Sequence, residues 1–266
     1  MIIGADGWGS RVREAMGVKH VGWDYDQTAI VATLRLSEAT ANNVAWQRFL
    51  PTGPLALLPL NSQQSSLVWS TTKKEASRLM SLTEEEFTDA LNHAIWDDKH
   101  RIRGIDDVLD RWRSLLGRVL DLGMSVRQLP PSIMAIEGGS RACFPLGLGH
   151  ATEYVRLRAA LIGDAAHRIH PMAGQGVNMG FADAVALTKC LSRAVYEGRD
   201  VGNLSHLLEY ETERQRQVVP TLATVDGLYR LYSTQFSPIV LLRSLGLSFT
   251  NAFSPAKRVI MARTSV

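Results

Sequence analysis

The sequence predicts an α/β protein in which a β-rich domain interrupts a strand–turn–helix domain, with a helical region at the carboxyl end. Three observations predict it. A short apolar strand runs into a glycine-rich turn at residues 2–7. A second apolar strand, at 157–162, ends in another glycine-rich turn that leads into a helical pattern. Between them, short apolar and β-branched runs alternate with turn residues, which is typical of a sheet.

The composition is that of a globular protein and gives no sign of a nucleic-acid-binding surface. Hydrophobic residues make up 45% of the 266 positions, charged residues make up 21%, and the formal net charge is +3; these are ordinary values for a globular domain. No run of lysine and arginine carries interleaved aromatic residues, which argues against nucleic acid as a partner. Cys143 and Cys190 are too few for a disulfide framework and lack the spacing of metal ligands, so we expect buried, reduced thiols.

The first half of the chain predicts an antiparallel or mixed sheet. Positions 27–36 are β-branched and partly alternating. Two apolar runs, at 46–50 and 55–60, flank a Pro/Gly turn, which is the pattern of a hairpin. Further strands are predicted at 65–71 and at 141–148. A helical excursion between these last two strands would interrupt one sheet.

The helices are predicted from capping residues and from helical spacing. Thr83 and Glu86 form a capping box, and apolar residues then recur at helical spacing. Residues 105–116 predict a second helix. A longer helix is predicted from about 177 to 196, because its apolar positions keep the helical period and Gly198 is a suitable stop.

The last part of the chain predicts little except helix. Residues 203–262 have helical propensity, with breaks expected at Pro220, Pro238 and Pro255. The organisation that follows is a divided first domain, an inserted sheet domain and a helical end. The predicted domains are 1–17 with 150–200, then 18–149, and finally 201–266.

One segment, residues 160–180, carries the chemistry. Its strand ends in Gly163 and Asp164, which places a carboxylate at the carboxyl edge of a sheet, where α/β folds bind their ligands. That carboxylate can accept hydrogen bonds from ribose or ribityl hydroxyls. Gly174 and Gly176 allow a tight turn with close backbone approach, and they open a helix whose free N–H groups can face an anion. A simple strand-to-helix connection would need glycine only for its turn. It would not also explain the His-Pro, glutamine and asparagine that follow in order within the same segment.

These residues resemble a known family. The order G-D-A-A-H-x-x-H-P-x-x-G-Q-G-x-N-x-G, from Gly163 to Gly180, is similar to the second flavin-binding motif of the class A flavoprotein monooxygenases, typified by p-hydroxybenzoate hydroxylase. Residues 4–7, continuing to Ser10 and Arg13, resemble that family's other motif, G-A-D-G-x-x-S-x-x-R. The resemblance implies a partial FAD-binding (p-hydroxybenzoate hydroxylase-like) domain with an inserted mixed β-sheet substrate domain and a helical C-terminal tail.

The resemblance also implies roles for particular residues. Asp164 would bind the ribityl chain of FAD, Pro171 with residues 174–178 would line the flavin ring, and Asp6 would lie near the pyrophosphate. Because the cofactor performs the difficult step in such enzymes, we assign no catalytic side chain and no metal ligand. The expected cofactor-binding residues are Asp6, Gly7, Gly163, Asp164, Pro171, Gly174, Gln175, Gly176, Val177 and Asn178.

Further segments narrow the resemblance to the hydroxylases of ubiquinone biosynthesis, and among these to the mitochondrial branch. Residues 48–60 resemble their substrate-domain hairpin, and residues 210–214 and the sparse pattern of the tail also match. Such a protein hydroxylates the ring of a polyprenylated aromatic precursor with FAD and O2, using a ferredoxin system or NAD(P)H as electron donor. The resemblance further implies other ubiquinone-biosynthesis proteins as partners and a peripheral place on the matrix side of the mitochondrial inner membrane.

The sequence departs from the family in one respect. The G-x-G-x-x-G unit that holds the FAD pyrophosphate does not occur in it, so we expect an amino-terminally truncated member. This leaves open a truncated, inactive homologue that acts as a scaffold in the biosynthetic complex. A flavin reductase or halogenase of the same superfamily is disfavoured by the hairpin and tail.

Four polar residues near the motif are expected to be structural. His167 and His170 lie on a Gly/Pro-flanked loop, which favours hydrogen bonding or packing beside the flavin over a zinc site. Tyr210 and Arg214 are four residues apart on a predicted helix, so we expect them to pair with each other, with substrate contact as the alternative.

Overall fold

A computed structural model of the chain describes residues 1–38, 41–96, 129–234, 236–253 and 258. The helix predicted at 105–116 and the break predicted at Pro255 lie outside these residues. The strands, numbered in chain order, are β1 (Ile2–Gly4), β2 (His20–Leu36), β3 (Trp46–Leu50), β4 (Gly53–Pro59), β5 (Gln64–Thr72), β6 (Ile133–Ile136), β7 (Ala142–Ala151), β8 (Val155–Arg156), β9 (Ala159–Leu161) and β10 (His167–Arg168). The helices are α1 (Arg11–Ala15), α2 (Lys73–Ser81), α3 (Glu84–Trp96), α4 (Gly176–Tyr196), α5 (Leu204–Ser233) and α6 (Ser237–Ala252).

The chain divides into two compact units. The first consists mainly of Met1–Tyr25 and Leu146–Tyr229, and the second of Asp26–Pro145 with Arg230–Ser265. The fold is mixed α/β, as the sequence predicts.

The first unit is built on a small sheet. β1 and β9 pair in parallel, with Ile2 opposite Ala159 and Gly4 opposite Leu161, and β8 adds an antiparallel edge to β9. Helices α4 and α5 supply buried residues to the same core, among them Leu187 and Leu207. The apolar part of this core is therefore shared between one narrow sheet and two long helices.

The second unit is dominated by antiparallel pairing. The larger sheet has the strand order β10-β7-β2-β5-β4-β3, with β6 paired to β2. Of this sheet, β3, β4, β5 and β6 and the part of β2 from Asp26 onward belong to the second unit. The predicted hairpin is confirmed as β3 and β4, which meet at Leu50 and Gly53. Gly53 is required there: its φ is +146°, and a Cβ atom would lie 2.4 Å from the carbonyl oxygen of Ser70. The bulk of this unit's core comes from the inward faces of β2, β4 and β5 with α2 and α3 packed on them.

The predicted capping box starts α3. The Glu86 backbone N–H donates to Thr83 Oγ1 at 3.2 Å, and the Thr83 N–H donates to a Glu86 carboxylate oxygen at 3.0 Å. Each side chain therefore satisfies a backbone donor of the other residue, as the motif requires. The preceding helix α2, with Thr72 as its N-cap, is not among the sequence predictions.

The break predicted at Pro220 is wrong, because α5 runs without interruption from Leu204 to Ser233 with Pro220 inside it. Proline removes one backbone donor from a helix. Here, however, Val218 and Leu222 are both buried on either side of it, so tertiary packing fixes the helical path through that position. Pro238 does coincide with a boundary, since α6 begins at Ser237.

The two cysteines differ in their surroundings. Cys190 is buried on α4, as expected, and its thiol donates to the carbonyl oxygen of His206 at 3.1 Å. Cys143 is exposed on β7, so the expectation that both thiols are buried is wrong for that residue.

Among the described residues, no helix is both long enough and apolar enough to cross a membrane.

Adjacent leucines on β4 test the inward face of the second unit. Leu57 is 1% exposed, whereas Leu58, which points to the other face, is 40% exposed. Leu57→Ala should lower the free energy of unfolding by about 2–5 kcal/mol, because it removes buried methyl groups and leaves a cavity. Leu58→Ala should change it by less than about 1 kcal/mol. Urea unfolding followed by circular dichroism measures both, and equal losses would show that the face assignment is wrong.

Candidate functional site

The two glycine-rich motifs meet at one edge of the first unit. Because β1 and β9 are parallel and adjacent, the loops that follow them leave the sheet on the same side. The Ile162 N–H donates to the carbonyl oxygen of Gly4 at 3.0 Å, which extends the pairing up to the start of both loops. Asp6 and Asp164 thus lie just beyond the carboxyl ends of neighbouring parallel strands, where open α/β sheets bind ligands.

Arg13 joins the two loops directly. Its side chain is buried, with Nη1 donating to the carbonyl oxygen of Ala165 at 2.8 Å and Nη2 to that of Trp8 at 2.7 Å. The sequence motif identifies Arg13 but not this role. A guanidinium suits the position because its planar donors can reach two backbone carbonyls at once.

The Asp6 carboxylate is exposed and supports the start of α1. Its Oδ2 accepts the backbone N–H of Arg11 at 2.8 Å and that of Val12 at 3.3 Å. A hydrogen bond from Ser10, aided by these backbone donors, holds the pKa of Asp6 below its usual value. The next residue, Gly7, has φ +85°, which only glycine adopts readily. The motif therefore forms a preorganised turn with an ionised carboxylate.

The Gly163–Asp164 turn exposes a second carboxylate. Gly163 has φ +59°, and the turn it begins is a short 3₁₀ helix, Gly163–Ala165. The Asp164 side chain is exposed. Within the described part of the chain, no hydrogen bond or ion pair involves it. It is available to a ligand at the sheet edge.

The third part of the site is the start of α4. Pro171–Ala173 form a 3₁₀ turn, which Gly174 ends in the left-handed conformation at φ +61°. Gln175 is the N-cap of α4 and gives no side-chain capping bond. The first backbone N–H groups of a helix have no partner inside it. Among the residues that the structure describes, no hydrogen bond is found from the N–H groups of Gly176, Val177 or Asn178, which leaves them available to an acceptor.

Contacts of a buried histidine hold the turn before α4 in place. His170 is buried, and its Nδ1 accepts the backbone N–H of Met172 at 3.1 Å. The His170 ring also packs against the rings of Tyr25 and Tyr229, with centroid distances of 5.1 and 5.2 Å, and those two rings lie 4.4 Å from each other. These contacts agree with the structural role expected for His170.

A set of buried polar contacts lies beneath the Gly163 turn and was not predicted from the sequence. Arg214 does not pair with Tyr210, so that prediction is wrong; its Nε donates to Asp183 Oδ1 at 2.6 Å. Tyr210, whose pKa is raised by burial, donates from its hydroxyl to the carbonyl oxygen of Leu161 at 2.8 Å. His167 Nε2 lies 2.7 Å from Asp183 Oδ2. Asp183 could have been noticed because it is the only acidic residue of the predicted helix and has apolar or small residues on both sides of it in the sequence.

The residues present fit a flavin nucleotide. An exposed carboxylate can accept hydrogen bonds from a ribityl chain, and a helix N-terminus with free N–H groups stabilises negative charge. Gly163 and Gly174 both adopt the left-handed conformation. Because neither has a side chain, the backbone at both turns is uncovered and a flat ring can approach it closely.

Comparisons with known proteins agree with this chemistry. The sequence profile described as "FAD binding domain" matches residues 139–223. The protein named "Ubiquinone biosynthesis monooxygenase COQ6, mitochondrial" from Rattus norvegicus is 57% identical over 265 residues, which is 100% of this chain and 56% of the relative. The Homo sapiens protein of the same name is also 57% identical, over 100% of this chain and 57% of its own length. The chain therefore spans little more than half the length of these curated relatives.

A solved structure shows the same fold. The p-nitrophenol 4-monooxygenase PnpA of Pseudomonas putida superposes with a TM-score of 0.65 at 17% sequence identity, covering 98% of this chain and 58% of that protein. The fold is that of the class A flavoprotein monooxygenases, and the profile that matches residues 139–223 describes FAD binding. Within that class, the identity to its relatives is high along the whole chain. The chain is similar over its whole length to the COQ6 ubiquinone-biosynthesis monooxygenases.

The pH dependence of stability tests the buried state of His170. Burial lowers the pKa of its imidazole from 6.5 to about 4. Between these values the unfolded chain binds a proton that the folded chain does not, so the free energy of unfolding falls as the pH decreases through this window. His170→Asn keeps an acceptor for Met172 but cannot titrate, and should remove up to about 3 kcal/mol of this pH dependence.

The measurement is urea unfolding at several pH values across that window. His93→Asn, which changes an exposed histidine, serves as the matched control and should keep the original slope. If His170→Asn also keeps it, His170 is not a buried neutral imidazole.

Proposed function

We propose that the protein hydroxylates the aromatic ring of a polyprenylated precursor in ubiquinone biosynthesis, using FAD and O2. The observation that carries this proposal is the convergence of the Asp164 turn and the uncapped start of α4 in one unit whose fold is that of FAD-dependent hydroxylases. The names of the 57% identical relatives supply the pathway.

The chain's own residues bind and orient the cofactor. Reduced FAD, when bound, activates O2 and supplies one oxygen atom to an electron-rich ring. Asp164 accepts hydrogen bonds from the ribityl hydroxyls, because its carboxylate is exposed at the strand end. The N–H groups of residues 176–178 would stabilise the negative charge of the reduced ring. Gly163, Pro171 and Gly174 would shape the backbone on which the ring is held.

The amino-terminal motif contributes to the pyrophosphate side. Asp6 and Gly7 follow the strand that neighbours β9, and the turn they form is rigid. The 266 residues contain no G-x-G-x-x-G stretch, so these two residues supply only part of a nucleotide site.

The substrate class agrees with the surface of the carboxyl-terminal helix. Leu242 and Leu247 on α6 are exposed, as is Phe236 just before it, and apolar side chains on a helix favour contact with a membrane surface. A polyprenyl chain is insoluble in water, so its hydroxylase works best at a bilayer. This supports a peripheral place at a membrane surface. From the resemblance to the mitochondrial ubiquinone-biosynthesis hydroxylases we further propose the matrix side of the inner membrane, other ubiquinone-biosynthesis proteins as partners, and a ferredoxin system or NAD(P)H as the electron donor.

Oxygen labelling tests the activity. The full-length gene product, supplied with FAD, a ferredoxin system or NAD(P)H, ¹⁸O2 and a prenylated phenol, should yield a product whose ring carries one ¹⁸O atom. Mass spectrometry of the product measures this. Absence of label under both electron donors, with FAD bound, would instead favour a scaffold without hydroxylase activity.

A single carboxylate tests the cofactor site. Asp164→Ala should raise the dissociation constant for FAD about tenfold or more, because a ribityl hydroxyl loses a charged acceptor. Glu213→Ala removes an equally exposed carboxylate from α5 and should leave the constant unchanged. Titration of flavin fluorescence measures both. Equal affinities for the two variants would refute the role of Asp164.

A further inference from the structure

A fully buried carboxylate lies directly beneath the proposed flavin turn. Asp183, on α4, is 0% exposed. Its Oδ2 accepts the backbone N–H of Gly163 at 2.8 Å and lies 2.7 Å from Nε2 of His167. Its Oδ1 accepts Nε of Arg214 at 2.6 Å. We call Asp183, His167 and Arg214 the Asp183 cluster.

The cluster is fully compensated. Burial alone would raise the pKa of Asp183, but hydrogen bonds and charge from His167, with those from Arg214 and the Gly163 N–H, lower it below its usual value. Arg214 is also buried, and its Nη2 donates to the carbonyl oxygen of Met179 at 3.2 Å. A cluster of this kind joins the turn after β9 to both α4 and α5.

Such a cluster is an inefficient way to gain stability. Well-packed apolar residues of similar volume are often as stabilising as a buried ion pair or more so, because they carry no desolvation cost. The cluster instead fixes positions. A carboxylate holds each N–H group from which it accepts a hydrogen bond at a defined place. The donor that matters here is the N–H of Gly163.

Gly163 is the residue whose conformation decides where Asp164 lies. It adopts φ +59°, and its Cα is 3.6 Å from the point where a side chain at Gly180 would begin. The backbone of α4 therefore lies close beneath the turn. With its N–H fixed below by Asp183 and its left-handed bend, the turn leaves the next side chain, Asp164, exposed at the sheet edge.

We propose that the Asp183 cluster positions the Gly163–Asp164 turn for FAD, so that Asp183 determines cofactor affinity without touching the cofactor. The proposal rests on the proposed flavin-binding role of Asp164. Asp183 acts through the Gly163 backbone and is a positioning residue. His167 and Arg214 hold its carboxylate in place.

The test uses the full-length gene product with three variants. Asp183→Ala removes the acceptor for Gly163, and Asp183→Asn keeps one oxygen in its place. Leu187→Ala changes a buried apolar residue one turn further along α4 and lowers stability without touching Gly163. FAD dissociation constants are measured by fluorescence at a temperature at which circular dichroism shows every variant folded. Hydrogen exchange of the Gly163 amide is measured without FAD.

Asp183→Ala should raise the FAD dissociation constant about tenfold or more and abolish protection of the Gly163 amide. Asp183→Asn should recover part of both, which also keeps the test decisive if the alanine variant fails to fold. Leu187→Ala should leave both close to the original values.

Two results would overturn the proposal while leaving the proposed function intact. In one, Asp183 variants bind FAD as tightly as the original protein. In the other, Leu187→Ala weakens binding as much as Asp183→Ala, which would make the effect one of general stability. If the original protein binds no FAD, the proposed function itself fails and the positioning role fails with it.

Discussion

The parallel pairing of β1 with β9 is the constraint on which the rest of the first unit depends. Only three residue pairs form it, and they close a very long loop, since Ile2 lies opposite Ala159. Closing a loop of this length costs conformational entropy, and the hydrogen bonds of three residue pairs offset little of that cost. The pairing is therefore reinforced at the loops by Arg13, which donates to the Ala165 carbonyl, and by the bond from Ile162 to Gly4. The flavin motifs meet because these contacts hold them together.

The two units are stabilised differently. The second has a core of aliphatic and aromatic side chains between a sheet and two helices, where non-directional burial suffices. The first combines apolar residues with a buried carboxylate, an imidazole and a guanidinium. Hydrogen bonds of that kind fix backbone positions more closely than apolar contacts do. The two glycine-rich turns of the candidate site, whose backbone positions matter most, lie in this unit.

The sequence predicted what depends on local chemistry. The Thr83 capping box, the hairpin at Gly53 and the glycine that opens α4 each act over a few residues, so the pattern is sufficient. Predictions that depended on tertiary packing were less reliable. The periodic apolar stripe that indicates α4 includes Val177, Phe181 and Val185, yet each is 69% exposed. The buried face instead carries Met179, Leu187, Cys190, two alanines and Asp183. The partners of Asp183, which are His167 and Arg214, come from other segments of the chain.

The cluster beneath Gly163 has a thermodynamic consequence. The turn that is proposed to contact the flavin also joins two long helices to a narrow sheet, so occupancy of that site and folding of the first unit would be linked equilibria. A ligand that binds only the folded chain stabilises it by mass action. Binding of FAD at the proposed site would therefore raise the fraction of folded chain, and removal of the cofactor would lower it.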